Sequence, residues 1–191
     1  MSRTPLIAAV LVAASLHAMP AAAETSGSEL AADIITGVVP LSGPLITYLK
    51  DDDEGRLQWL WSTGVTLGIN SVARYALGST SWGIRPNGHK YGFPSGHVGF
   101  VVSGAAFLSE RYGWRYGVPA YLASGYVAWE RVKDRKHRWR DVLVGGGLAW
   151  TVSHFLVTPF ETDPNNPDNK QVSFAPIVDD GFYGLNMEYQ W

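Results

Sequence analysis

Between residues 31 and 157 the chain runs through five mainly apolar stretches, each long enough for a helix and each interrupted by a few polar residues. They cover 31–49, 57–77, 95–110, 119–131 and 138–157. Segments of that length and period pack against one another far more readily than they pair as strands, so the pattern predicts an all-α helical bundle. Asp51-Asp52-Asp53-Glu54 places negative charge where the second helix begins, and Pro40 marks a kink in the first. Asn70, Ser71 and Arg74 suit burial in a bundle and make 57–77 a poor lipid-facing span. Gly145-Gly146-Gly147 sacrifices helix propensity, roughly 1 kcal/mol per glycine, which the close approach of a neighbouring helix would justify. The Gly-, Ser- and Pro-rich stretch 78–92 and "RYGWRYG" read as a loop and a turn.

The two ends differ from this middle. Arg3, the apolar run 6–16, Pro20 and Ala21-Ala22-Ala23 have the form of a secretory signal, residues 1–23, leaving a single domain over 24–191. Export usually brings disulfides, yet there is no cysteine, so packing alone must hold the fold. Near the other end Leu185, Met187, Tyr189 and Trp191 alternate with Asn186, Glu188 and Gln190. With "VSFAPIV" before Asp179-Asp180-Gly181, this predicts a short C-terminal β-hairpin over about 172–191, packed on the bundle. A formal net charge of −2 excludes the dense basic stripe of a nucleic-acid surface. Eight Trp and nine Tyr fit a membrane interface and an ordinary aromatic core equally well.

Three clusters carry chemistry. In "YGFPSGHVGF", Ser95 occupies an N-cap position, so the amides that follow are free to hold an anion; Gly96 permits close approach, and His97 stands in the first turn. In "ERVKDRKHRWRD", His137 and Asp141 are four residues apart, so on one helix face the carboxylate accepts the Nδ1–H and leaves Nε2 free as nucleophile or base. A surface ion pair or half of a metal site has the same spacing. Arg131, six residues upstream, offers a guanidinium fork to the same ligand. Lys133, Arg135, Lys136, Arg138 and Arg140 read as a solvated basic face or as an attractor for an anionic substrate or lipid headgroup. The third cluster is "GIRPNG", with Arg85 before a rigid proline.

Taken in order, Arg85-Pro86, Pro94-Ser95-Gly96-His97, and Arg131 with His137 and Asp141 resemble the tripartite signature of the phosphatidic acid phosphatase type 2 superfamily. That superfamily includes bacterial acid phosphatases, lipid phosphatases and vanadium haloperoxidases. The resemblance extends over about 57–157 and implies the helical bundle of the acid phosphatase and haloperoxidase type. It departs at two points: the lysine usual seven residues before the Arg-Pro arginine is Gly78, with Arg74 or Lys90 as substitutes, and Glu130 precedes Arg131 where a small residue is common.

The resemblance implies a metal-independent phosphatase without cofactors. His137 would attack phosphorus and become a phosphohistidine, oriented by Asp141, while His97 protonates the leaving group. Arg85, Ser95, Gly96, Arg131 and Arg74 would bind the phosphate oxygens. Export and the aromatic content point to a lipid phosphate or diphosphate handled in the periplasm or on the periplasmic face of a membrane. The alternatives are a soluble acid phosphatase for small phosphomonoesters, vanadate-dependent halide oxidation, and a helical binding or structural protein with a degraded pocket. A metal set of His89, His97, His137 and Asp141 lacks paired-ligand spacing and faces nearby arginines.

Overall fold

The computed structural model describes residues 26–160, 172–179 and 182–189, so the expected signal, 1–23, and the polar stretch 161–171 lie outside the described residues. Five helices make up the bundle: α1 (Gly27–Leu49), α2 (Asp53–Leu77), α3 (Gly96–Tyr112), α4 (Trp114–Lys133) and α5 (Trp139–Leu156). Strands β1 (Val172–Asp179) and β2 (Phe182–Tyr189) pair antiparallel with Val172 opposite Tyr189. The expected packing of this hairpin on the bundle is not found, because the strands' neighbours among the described residues are each other. The fold is therefore defined by the helices alone.

α3 is the central helix and packs against each of the other four. Its small residues permit this: a side chain at Gly104 would run into the α1 backbone at Pro40, and one at Gly99 into Asn70 of α2. Phe107, Val101 and Ala105 are fully buried at its centre, against Ala32, Trp59 and Val127. Pro44 lies inside α1 and brings no amide hydrogen, which strands the carbonyl of Pro40 one turn earlier. Trp59 of α2 fills that gap, its Nε1–H donating to Pro40 O at 3.0 Å, and Gly43 leaves room for the indole.

The first two helices start at side-chain caps. Ser26 accepts from the Glu29 amide at 3.2 Å, and Asp52 from the Gly55 amide at 2.7 Å. α4 begins five residues before the expected Pro119, so "RYGWRYG" is helical except at Gly113, whose φ of 81° breaks α3 from α4.

Polarity is inverted relative to a water-soluble bundle. α1 turns Leu30, Ile34, Val38, Leu41 and Leu45 outward in one stripe, and α2 does the same with Leu57, Trp61, Val65, Ile69 and Val72. The interior, alongside its apolar core, also holds Ser62, Thr63, Thr66 and Asn70 of α2, Ser103 of α3, Ser124 of α4 and Ser153 of α5. Of the polar residues that made 57–77 look unsuited to lipid, Asn70 points into the bundle, Arg74 is half-buried at the end nearest the histidines, and Ser71 is exposed. Among the described residues α1 is the one helix long and apolar enough by itself to cross a membrane.

The two ends of the bundle are built differently. At one, Arg111 and Tyr112 close on Asp52; at the other, the first turns of α1, α3 and α5 meet the last turns of α2 and α4 and the loop 78–95. All three sequence clusters lie at this second end.

Candidate active site

His137 does not share a helix with Asp141. It stands in the connection between α4 and α5, two residues before the helix begins, and its ring is buried. The expected bond to Asp141 is replaced: Nδ1–H donates to the carbonyl of Gly92 at 2.7 Å, whereas Asp141 Oδ2 is 3.9 Å from Nδ1. The outcome for the imidazole is the one anticipated, a fixed tautomer with Nε2 left free. Burial holds the ring far below its ordinary pKa, at about 3, with Arg85, His97 and Arg131 acting in the same direction and the Gly92 bond against it. A neutral ring keeps the Nε2 lone pair that a nucleophile or base would need.

Asp141 serves the site through its surroundings. Its carboxylate accepts from the Arg138 amide at 2.8 Å and from Arg140 Nε at 3.3 Å, fixing the turn that carries His137. Its own carbonyl accepts from the Ser95 amide at 2.9 Å, so the second and third clusters are joined by one main-chain bond. Gly145 makes this approach possible, since a Cβ there would lie 2.6 Å from Ser95 O. The expected role of the glycine triplet holds for that residue alone: Gly146 is in ordinary contact, and Gly147 has nothing within 4 Å.

Ser95 begins α3 without capping it, and its hydroxyl is fully buried with no hydrogen-bond partner among the described residues. The amides of Gly96, His97 and Val98 likewise find no acceptor there. His97 is open to solvent, and the charges that bear on it are those of Arg131, Asp33, Arg74 and Arg85. Arg85 Nε and Arg131 Nε are buried and make no hydrogen bond among the described residues. Burial, then the charges of Arg74 and Arg131, hold Arg85 below its usual guanidinium value, with Asp141 opposing. Crowded guanidiniums, free amides and an orphaned hydroxyl together make a place for an oxyanion.

Of the two substitutes for the family lysine, Arg74 is the one at the site. A Cβ on Gly96 would come 3.5 Å from Arg74 Nη1, while Arg74 Nε donates to Tyr91 O at 2.9 Å. Lys90 is exposed on the loop. Gly78 has to lack a side chain, because the Tyr91 ring occupies the space a Cβ would enter. His89 is exposed too, and among the described residues no three His, Asp or Glu side chains converge in a way that could hold a metal.

Two acids that sequence reasoning did not place act on Arg131. Asp33 of α1 pairs with its Nη2, and Glu130, fully buried, has Oε2 3.6 Å from its Nε. The basic run is also less solvated than expected. Lys136 pairs with Glu29 and Lys133 with Ser28, while Arg138 donates to Ile84 O at 2.6 Å and Arg140 to Trp82 O at 3.0 Å, pinning the 78–92 loop.

Fold and site thus define a helical protein in which two histidines, three arginines and the free amides of α3 gather at one end of the bundle. The family model described as the PAP2 superfamily matches residues 43–163, and the chain belongs to that superfamily. Over 105 residues it is 28% identical to the lipid A 4'-phosphatase of Helicobacter pylori, covering 52% of this chain and 50% of that one. Over 114 residues it is 28% identical to lipid phosphate phosphatase 2 of Arabidopsis thaliana, covering 52% and 39%. The chain thus spans half or less of the length of these curated relatives. Its fold is similar to the crystal structure of a transmembrane PAP2-type phosphatidylglycerolphosphate phosphatase from Bacillus subtilis, with TM-score 0.53, 20% identity, and 78% and 81% coverage.

Proposed function

We propose that the protein is a membrane-embedded phosphatase that removes phosphate from a lipid monoester or diphosphate through a phosphohistidine on His137. The observation that carries this reading is the set of buried donors without a partner near the start of α3: Ser95 Oγ and Arg85 Nε, beside the free amides of Gly96, His97 and Val98. Burying a hydrogen-bonding group unpaired costs about 1–3 kcal/mol, so these argue for a ligand that satisfies them. Arginines and free helix amides specify that ligand as an anion with several oxygens.

In the proposed reaction the phosphate lies among Arg74, Arg85, Arg131, Ser95 and the Gly96 amide, and its negative charge offsets the arginines and favours protonation of His97. His137 Nε2 attacks in line; the N–P bond forms as the P–O bond to the lipid alkoxide breaks, and His97, so protonated, delivers its proton to that oxygen. Neutral His97 then takes a proton from water, whose oxygen attacks phosphorus; the N–P bond breaks, releasing phosphate and restoring both rings. Asp141 supports His137 by holding its turn and by placing negative charge 3.9 Å from Nδ1 as the ring becomes positive.

The lipid part rests on the exterior. Outward stripes of Leu, Ile, Val and Trp on α1 and α2 around an interior rich in Ser and Thr are what helices packed within a bilayer require. The export-type N-terminal sequence favours a site on the periplasmic face.

The test is phosphate release by the full chain, in detergent, from para-nitrophenyl phosphate and from a diacylglycerol monophosphate. His137→Ala and His97→Ala should each abolish turnover of both. Unchanged rates in the two variants end the proposal, and phosphate binding without turnover by the parent identifies a binding protein instead.

A further inference from the structure

An apolar groove of about 430 Å³ runs along the outside of the bundle between α3, α4 and α5. It starts at the catalytic end, where Val98 follows His97 and Val142 follows Asp141, and reaches Trp150. The distance along α5 from Trp139 to Trp150 is about 16 Å at 1.5 Å per residue, close to half of a ~30 Å hydrocarbon core. Its floor is open because Gly125 of α4 and Gly147 of α5 lack side chains. Neither glycine is needed for packing: a Cβ at either would meet nothing within 4 Å, in contrast to Gly145 against Ser95.

We infer that this groove holds the hydrocarbon chain of the phosphorylated lipid while its phosphate lies at His137. The inference rests on the phosphatase reading above and adds the substrate's second contact. The occupant is an amphiphile because one end of the bundle offers both parts: arginines and free amides there fit an anionic headgroup, and an open, mainly apolar groove about one leaflet deep begins at the same end, beside Val98 and Val142. Glycine inside a helix lowers its stability, so two of them facing open space fit a requirement for room rather than for packing. Tyr121 and Trp150 border the channel and give a chain broad apolar contact.

The experiment fills the groove without touching the phosphate site. Gly125→Leu and Gly147→Leu are made in the full chain. Gly64→Leu serves as control: it lies on α2, away from the groove, and also has nothing within 4 Å of a Cβ. Values of kcat/KM are measured in mixed micelles for a long-chain diacylglycerol monophosphate and for para-nitrophenyl phosphate. The groove variants should lose about tenfold on the long-chain lipid, the worth of two displaced methylene contacts, with the soluble ester within twofold of the parent and the control unchanged. Normal lipid turnover in both groove variants, or lipid loss equalled by the control, overturns the groove while leaving the phosphatase intact. A parent inactive on both substrates overturns the phosphatase reading itself. If a groove variant fails to accumulate, a chain-length series on the parent decides. Efficiency rising with each added methylene and levelling off at the groove's length supports the inference; a flat series refutes it.

Discussion

Replacing Asp52 by alanine should unfold the bundle at a lower temperature without altering its chemistry, because Asp52 sits at the end away from the histidines. Its carboxylate accepts from Arg111 Nε at 2.8 Å, Arg111 Nη2 at 2.6 Å, Tyr112 OH at 2.7 Å and the Gly55 amide at 2.7 Å. Side-chain exposure is 2% for Asp52 and 3% for Arg111, so this is a buried pair. Leaving one member of such a pair without its partner costs about 3–5 kcal/mol, and losing an N-cap costs about 1 more. Arg111 keeps the carbonyls of Thr158 at 2.9 Å and Pro159 at 3.3 Å, which favours the lower end, about 4 kcal/mol with the cap included. At roughly 2–4 °C per kcal/mol, Tm should fall by about 8–16 °C. Asp52→Asn preserves the cap and an acceptor and should lose about half as much. The pair also adds an acid-sensitive component. Burial pushes the Asp52 carboxyl up, but the bonds from Arg111, Tyr112 and Gly55 outweigh it and hold the group below its ordinary value. Its stabilisation is present above about pH 4 and is lost as pH falls through the lowered value; Asp52→Asn should lack that loss. Thermal unfolding of the purified protein in one detergent provides Tm, and para-nitrophenyl phosphate turnover well below Tm provides activity. A Tm within 2 °C of the parent, or activity lost in the still folded variant, would refute the reasoning.

Two further outcomes concern the site. Arg74→Ala should raise KM for phosphate esters at least tenfold, and Lys90→Ala should leave it within twofold; the reverse ranking in steady-state kinetics would put the substitute for the family lysine on the loop. His137, held at about 3 chiefly by burial, should stay neutral as the Nδ1–H tautomer from pH 8 down to about pH 4.5. Histidine-labelled NMR, with the resonance assigned by loss in His137→Gln, checks this, and a titration midpoint near 6.5 would contradict it.

What could be read from the chain and what could not divides along physical lines. Ser95-Gly96-His97 was legible as a helix start because a helix start fixes its own geometry locally, whereas His137 and Asp141, read as one helix face, straddle the start of α5. The partner of His137 was not, since the Gly92 carbonyl is a backbone group that any residue would supply and only the loop's path delivers it. Asp33 was hidden for a different reason: it lies 98 residues from Arg131, and nothing in its own neighbourhood marks it. For α2 the composition was read correctly but the facing was not. Ser62, Thr66 and Asn70 lower the segment's hydropathy as a whole, yet all three lie on the inner face and leave the outer one apolar. Gly147 shows the limit of a propensity argument, because the close packing signalled by the triplet is found at Gly145 and not at Gly147, where a Cβ would meet nothing within 4 Å.

The central claim is that His137 Nε2 becomes bonded to phosphorus during turnover. It is tested most directly by rapid acid-free quenching of the full-length protein with a phosphate-labelled lipid monophosphate, followed by peptide mapping. The account predicts an alkali-stable, acid-labile phosphoryl group on the peptide containing His137, absent from His137→Ala. Active protein that never carries label, or carries it on another residue, would contradict it.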